Sequence, residues 1–468
     1  MVEARDDRPA GPFDAVLSGS AGLGLFTDLY ELTMACGYWS AGLADRRATF
    51  DLFFRHLPPG RNFIVAAGLE QAAEFLLNFR FNPGDIEYLK SLPVFERVRA
   101  DWFDALLELR FTGDVWAVPE GTVVFAGEPL LRVTAPLMTA QIIETYLLTS
   151  LSYPSSVATK ASRIALSAGG RVTVDFGTRR AHGPQAGMLA ARASFIGGCV
   201  GTSNTMAAER WGIPPLGTMA HSWIMVFEDE REAFQKFADV FPDRSTLLVD
   251  TYDTAEGTRN AIRSGARFGW LRLDSGDLVS LSRQVRQILD ESGLQDVKIF
   301  ASGDLNEYKI EQLLAAGSPI DGFGVGTELT TVADAPSLSV VYKLVELEGV
   351  AGHTGRIKLS SGKQTYPGRK QVFRESRPDG IFLRDVIGLE TEALPGERLL
   401  EPIISHSELV RSSPPLAKVQ EYCRSQLQRV PADLRALERP AQYTVAVSAG
   451  LQAEFDRLAI RLRHEERE

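Results

Sequence analysis

Arg272, Asp274 and Asp277 fall close together in the stretch Phe268-Gly-Trp-Leu-Arg-Leu-Asp-Ser-Gly-Asp-Leu278. An arginine suits an anion, and a carboxylate suits a sugar diol or a metal. Phe268 to Arg272 is mostly apolar or aromatic and too short for a helix, so it reads as a buried strand. Asp274-Ser275-Gly276 breaks that pattern. Asp277 is a good N-cap, and Leu278, Leu281, Val285, Ile288 and Leu289 follow at helical spacing. Ligands of parallel α/β folds bind where a strand hands over to a helix, because loop N–H groups and helix N-termini converge there. Capping alone would explain Asp277 equally well. It explains Arg272 and Asp274 less well, since both precede the helix.

The surrounding chain repeats this alternation. Strands are expected at 171–176, 198–200, 213–218, 245–250, 267–273, 297–301 and 321–325, with helices at 155–168, 186–197, 204–211, 229–241, 254–264, 277–292 and 305–316. Such a run argues for a parallel α/β sheet. No Gly-x-Gly-x-x-Gly follows the first strand, so a dinucleotide fold has no support. The expected fold class is α/β, an irregular or incomplete (β/α) barrel at 151–345. A discontinuous α+β N-terminal domain at 21–150 is completed by 346–410, where Gln371-Val-Phe and Gly380-Ile-Phe-Leu are candidate partners for the short strands near 115–134. Residues 1–20 read as a disordered leader and 411–468 as a helical, peripheral extension. A helix from Met138 to about Leu151 joins the first two parts.

Each barrel strand ends in a polar or Gly-rich turn, and in a parallel barrel all these ends share one face. The convergent residues are Arg179, Arg180, His221, Arg272, Asp274 and the turns at Gly303 and 324–326, which together describe an anion pocket. The Gly324-Val-Gly-Thr327 turn suits a monophosphate. Phe176 could stack on a planar heterocycle or simply fill the core. His221 could be catalytic or a structural hydrogen-bonder. Asp250, Asp253, Asp274 and Asp304 could hold a Mg²⁺-bound polyphosphate, although such a site leaves little sequence trace.

Bulk properties narrow the field. The chain has 468 residues, 44% hydrophobic and 24% charged, as in ordinary globular proteins. Its net charge of -10 disfavours broad attraction to nucleic acid or anionic membrane, so phosphate binding must be local. Cys36, Cys199 and Cys423 are too scattered for a disulfide framework or a zinc site. No apolar run suits a membrane span and no signal core opens the chain, so a cytoplasmic protein is expected.

With these motifs in view the sequence resembles nicotinate phosphoribosyltransferases, of the type II phosphoribosyltransferase fold. The likeness runs through Thr27-Asp-Leu-Tyr30, Asp175-Phe-Gly-Thr-Arg-Arg180, Gly217-Thr-Met-Ala-His-Ser222, Arg272-Leu-Asp-Ser-Gly-Asp277, Gly324-Val-Gly-Thr327 and Val341-Tyr-Lys-Leu344. The resemblance implies transfer of the 5-phosphoribosyl group from phosphoribosyl pyrophosphate to nicotinate in NAD salvage, with Mg²⁺, and with ATP as co-substrate through a phosphorylated His221. It implies that Tyr30 and Phe176 sandwich the pyridine ring, and that Arg179, Thr218 and Arg272 hold substrate oxygens or the nicotinate carboxylate. Asp274 would bind the ribose hydroxyls, and Gly303, Gly326 and Thr327 the 5-phosphate, with Ser275 and Asp304 beside them. Tyr30 would reach the site of a partner subunit, giving a homodimer. The loop Gly201-Thr-Ser-Asn-Thr205 lacks the aspartate with which the nicotinamide-using relative accepts an amide, which favours the acid. Quinolinate or nicotinamide phosphoribosyltransferase, or a non-catalytic phosphosugar-binding sensor, are the competing readings.

Overall fold

A helix of 24 residues, Glu144–Ser167, runs through two hydrophobic cores. Leu147 and Leu151 belong to the core of an N-terminal antiparallel sheet, and Val157, Ala158, Ala161 and Ile164 to the core of a parallel sheet. Burying an aliphatic side chain of this size contributes about 1.5–3 kcal/mol. Two helices broken before residue 155 were expected. The computed structural model, which describes residues 23–465 apart from 243–244, 350–351, 361–362 and 438–440, instead has Pro154 inside one helix. The expected leader at 1–20 lies outside the described residues. Proline offers no N–H to the Ser150 carbonyl. Gly68 packs against that carbonyl: its φ is +101°, and a Cβ there would stand 1.8 Å from Ser150 O. The missing side chain lets a second backbone close over the gap that the proline leaves.

The antiparallel sheet has seven strands, in the order Gly352–Gly355, Val340–Gly349, Arg47–Phe54, Pro129–Pro136, Asp114–Ala117, Glu401–Ser405 and Glu408–Leu409. Its completing strands therefore come from 340–355 and 401–409, not from 371–373 and 380–383. Those segments fall in Lys370–Ser376 and Phe382–Leu389, which pair with each other and with Glu397–Arg398 and Val445–Val447 in a separate small sheet. Between the two cores lies a two-stranded antiparallel ribbon of Ile64–Val65 and Val123–Val124, brought together from distant parts of the chain. Side chains alternate across a strand, so Phe63, Val65, Ala67, Val123 and Phe125 enter one core while Ile64, Ala66 and Val124 enter the other.

The parallel sheet has six strands, ordered Gly201–Thr202, Val172–Asp175, Gly322–Val325, Lys298–Ala301, Trp270–Leu273 and Thr246–Leu248. It curls as a half-barrel. The expected strand at 213–218 is reduced to one parallel bridge between Thr202 and Pro215, because Pro214 and Pro215 have no N–H to give a ladder. The short strand expected at 198–200 forms instead at Gly201–Thr202. The C-terminal part is neither wholly helical nor peripheral. Strand Val445–Val447 lies in it, and Leu416, Val419, Cys423 and Leu427 of the helix Leu416–Arg429 are buried in the half-barrel's core. Lys418, Glu421 and Arg424 occupy that helix's exposed face. Among the described residues no helix is long and apolar enough to cross a membrane.

Gly68→Ala should cost about 2–4 kcal/mol in urea unfolding, since both the steric clash and the left-handed backbone oppose it. Gly265→Ala also has a positive φ but open space around it, and should cost about 1 kcal/mol.

Candidate active site

The register of the parallel strands brings the chemistry together. Leu248 pairs with Arg272, and Leu273 with Ala301. Continuing those rows past the strand ends puts Asp250, Asp274 and Ser302 side by side at the carboxyl edge. Asp250 Oδ2 accepts from Asp274 N at 2.8 Å, Ser275 N at 2.9 Å and Ser275 Oγ at 3.0 Å. Ser302 Oγ donates to Asp274 Oδ1 at 2.5 Å. Arg272 donates from Nη2 to Asp274 Oδ1 at 2.6 Å, from Nε to Ser302 Oγ at 2.9 Å, and from Nη1 to Thr218 Oγ1 at 2.8 Å and Met219 O at 3.2 Å. Its guanidinium also lies 5.6 Å from the centroid of the Phe176 ring.

Burial alone would raise the pKa of Asp274. The Ser302 hydroxyl, the Arg272 guanidinium and His221 outweigh it and hold the carboxyl below the usual carboxylate range. His221 opens the short helix His221–Met225. Its Nδ1 is 3.1 Å from Thr251 Oγ1, and its Nε2 is 3.8 Å from Asp274 Oδ2.

His221, Arg272 and Asp274 line a cleft of about 620 Å³ with Phe176, Thr178, Arg179, Ser203, Thr205 and Thr218. Asp274 is the one carboxylate among its lining residues. A second cleft of about 250 Å³ shares Phe176, Arg179, Arg272 and Asp274, and adds Arg180, Ser302, Gly303, Asp304, Gly326 and Thr327. Gly303 has φ +93°, and a Cβ there would meet Asp274 O at 1.9 Å, so only glycine lets these two turns touch. Gly324 leaves room for Phe176, whose ring carbons would lie 2.6 Å from a Cβ at that position.

Of the residues expected from sequence, Phe176, Arg179, Thr218, His221, Arg272, Asp274, Gly303, Asp304, Gly326 and Thr327 converge on the two clefts. Ser275 stands behind them, bound to Asp250. Tyr30 lines neither cleft. It is half-exposed on the helix Leu29–Ser40. Asp253 is turned away, accepting from Glu256 N as the cap of Thr254–Arg263. Asp277 is likewise a cap, bonding Val279 N and Ser280 N. Among the described residues no group of three His, Cys, Asp or Glu side chains could hold a metal. Asp250 Oδ1 is buried without a hydrogen-bond partner among the described residues.

Sequence reasoning did not single out Ser302, Thr251 or the hydroxyls of Thr178, Ser203 and Thr205. The signal for Ser302 was its place just after a strand, like Asp274. The others sit in turns whose approach depends on the curl of the sheet.

A parallel half-barrel with an arginine-and-hydroxyl cleft opening onto glycine turns defines an α/β enzyme that handles a sugar phosphate and an anionic acceptor. Family models agree in finer detail: the nicotinate phosphoribosyltransferase N-terminal domain matches residues 25–152, the nicotinate phosphoribosyltransferase family 172–358, and its C-terminal domain 396–454. The chain is 48% identical over 442 residues to the nicotinate phosphoribosyltransferase pncB2 of Mycobacterium tuberculosis, covering 93% of each chain. It is 40% identical to that of Bacillus subtilis, covering 91% of this chain and 93% of the relative. The crystal structure of human nicotinic acid phosphoribosyltransferase superposes with a TM-score of 0.82 at 31% identity, covering 92% of this chain and 99% of the other. The chain belongs to the nicotinate phosphoribosyltransferase family.

Asp274 is held low, so it stays charged until the pH falls through its depressed value. Ser302→Ala removes a lowering influence. The acid-side loss of kcat/KM should therefore begin at higher pH than in the wild type, with a fall of about tenfold near neutrality. An unmoved acid limb would show that the Ser302 hydroxyl does not set the charge of Asp274.

Proposed function

We propose that this chain transfers the 5-phosphoribosyl group from phosphoribosyl pyrophosphate to the ring nitrogen of nicotinate, giving nicotinate mononucleotide and pyrophosphate for NAD salvage. The observation that carries the reading is the union of the two clefts at Phe176, Arg179, Arg272 and Asp274. One cleft suits a planar acid and the other a sugar 5-phosphate. Phe176 offers a ring face. Arg179 makes no hydrogen bond or ion pair to another described residue, so its donors are free for the nicotinate carboxylate, whereas Arg272 spends most of its donors within the protein. Thr218 adds a hydroxyl. Gly303, Gly326 and Thr327 hold the 5-phosphate, and Asp274 holds the ribose hydroxyls.

The pyridine nitrogen forms its bond to the anomeric carbon as the bond from that carbon to pyrophosphate oxygen breaks. No proton must be removed from the nucleophile, so the site orients the reactants and stabilises charge. The ionised Asp274 lies where positive charge develops on the ribose. Mg²⁺ bound to the donor's pyrophosphate would neutralise the leaving group. The absence of any carboxylate but Asp274 from the larger cleft supports the acid over the amide.

ATP enters through His221. Its γ-phosphoryl passes to an imidazole nitrogen, ADP leaves, and water later releases phosphate. The working unit in this reading is a homodimer in which Tyr30 reaches the partner's cleft. Phe26, Leu29, Tyr30 and Met34 are exposed together, as an interface would require.

Nucleotide, ADP and pyrophosphate counted from purified protein with phosphoribosyl pyrophosphate, Mg²⁺, and nicotinate or nicotinamide test the reaction. His221→Ala should keep a slow transfer and lose its acceleration by ATP; a full ATP response in that variant would remove His221 from the role. Tyr30→Ala and Asp274→Ala should each be nearly inactive. Mixed and re-equilibrated, they should recover about one quarter of wild-type activity, since half the dimers would carry one intact shared site. No recovery in exchanged dimers would refute sharing.

A further inference from the structure

Both turns of the smaller cleft are tied to one buried ammonium. Lys160, on the helix Glu144–Ser167, is fully buried and lines neither cleft. Its Nζ lies 2.7 Å from Glu307 Oε2 and donates to Asp334 Oδ1 at 2.9 Å. Arg61 donates to both oxygens of Asp334 at 2.9 Å, and Arg163 Nε donates to Glu307 Oε1 at 2.9 Å. Glu307 begins the helix that follows the Gly303–Asp304 turn, and Asp334 follows the helix Thr327–Thr331 that begins beside Gly326.

A residue other than glycine stands in the left-handed region both in the first turn and at the C-terminal end of the helix Thr327–Thr331. Asp304 has φ 45° and Val332 has φ 46°. A β-branched residue there is a true outlier, and such strain persists only where the surroundings over-determine it. Glu307 and Asp334 lie just beyond these two residues, and Lys160 joins them. Burial alone would raise the pKa of Asp334; Lys160 and Arg61 more than offset this and keep it charged. Removing one member leaves buried charge uncompensated, so the acids would shift and carry the turns with them.

We infer that Lys160 is a positioning residue for the phosphate end of the donor: by bridging Glu307 and Asp334 it sets the spacing of the two turns that grip the 5-phosphate. This rests on the proposed assignment of those turns to phosphate. A lysine that only stabilised the fold would not discriminate between the two substrates.

Lys160→Met and Asp334→Asn are made in the full chain. KM is measured for phosphoribosyl pyrophosphate and for nicotinate, and ribose 5-phosphate is titrated calorimetrically. The donor KM and the ribose 5-phosphate Kd should rise about tenfold or more, while the nicotinate KM moves less than about twofold. Asp334→Asn is nearly isosteric at a partly exposed side chain, so it decides the matter if Lys160→Met does not fold. Equal shifts in both KM values, or none in a folded variant, would overturn the inference. Wild-type protein that binds no ribose 5-phosphate would overturn the phosphate assignment beneath it.

Discussion

A buried guanidinium is the constraint around which the site is arranged. Arg272 is only 9% exposed, and its donors cannot be left to water. An uncompensated buried cation costs several kcal/mol, so the folded state must bring acceptors to it. They arrive from separate segments: Thr218 and Met219 from the loop before His221, Ser302 from the neighbouring strand end, and Asp274 from its own. Asp250 then fixes the backbone that carries Asp274. The positions of the reactive groups follow from satisfying that one cation. It also divides the labour between the arginines. Arg272 is largely neutralised by Asp274, which leaves Arg179 and Arg180 to attract anions into a chain whose overall charge is negative.

The site was more legible in the sequence than the architecture, and the reasons are physical. Strand Trp270–Leu273 and helix Leu278–Glu291 stand almost where the apolar pattern put them, because both periodicities are local. Asp274 and Arg272 were recognisable by standing at that junction. The pairing of Arg47–Phe54 with Val340–Gly349 joins residues about three hundred positions apart, and no local signal encodes it. The break expected between Leu151 and residue 155 is absent: Pro154 sits inside the helix, and Gly68 covers the freed carbonyl from a distant segment. Asp253 looked like a ligand because an N-cap and a metal ligand share the same residue type at the same strand–helix boundary; only its bond to Glu256 N separates the two. Tyr30 is visible as a motif, but it lines neither cleft of its own chain.

The long helix gives the two cores a shared mechanical element. Leu147 and Leu151 anchor one end among the antiparallel strands, and Lys160 and Arg163 face Glu307, behind the Gly303–Asp304 turn. The same helix bonds Thr330 through Tyr153, whose hydroxyl donates to the Thr330 carbonyl at 2.8 Å, a further tie to the turn that begins at Gly326.

The placement of His221 bears on how a distant hydrolysis could act on the chemistry. Its Nε2 is already 3.8 Å from Asp274 Oδ2, so a phosphoryl group on the imidazole would bring about −1.5 to −2 charge beside a carboxylate that Arg272 and Ser302 keep ionised. Two unit charges about 4 Å apart at an effective dielectric near 20 interact by about 4 kcal/mol. Both side chains are about a third exposed, so water and salt reduce that figure. What remains is still comparable to the energy that separates two arrangements of a loop, where about 1.4 kcal/mol already changes a population tenfold. Repulsion of Asp274 would have to be absorbed by its ties to Arg272, Ser302 and Asp250. Energy delivered at His221 would therefore need no long pathway: a charged carboxylate, Asp274, already stands 3.8 Å from its Nε2.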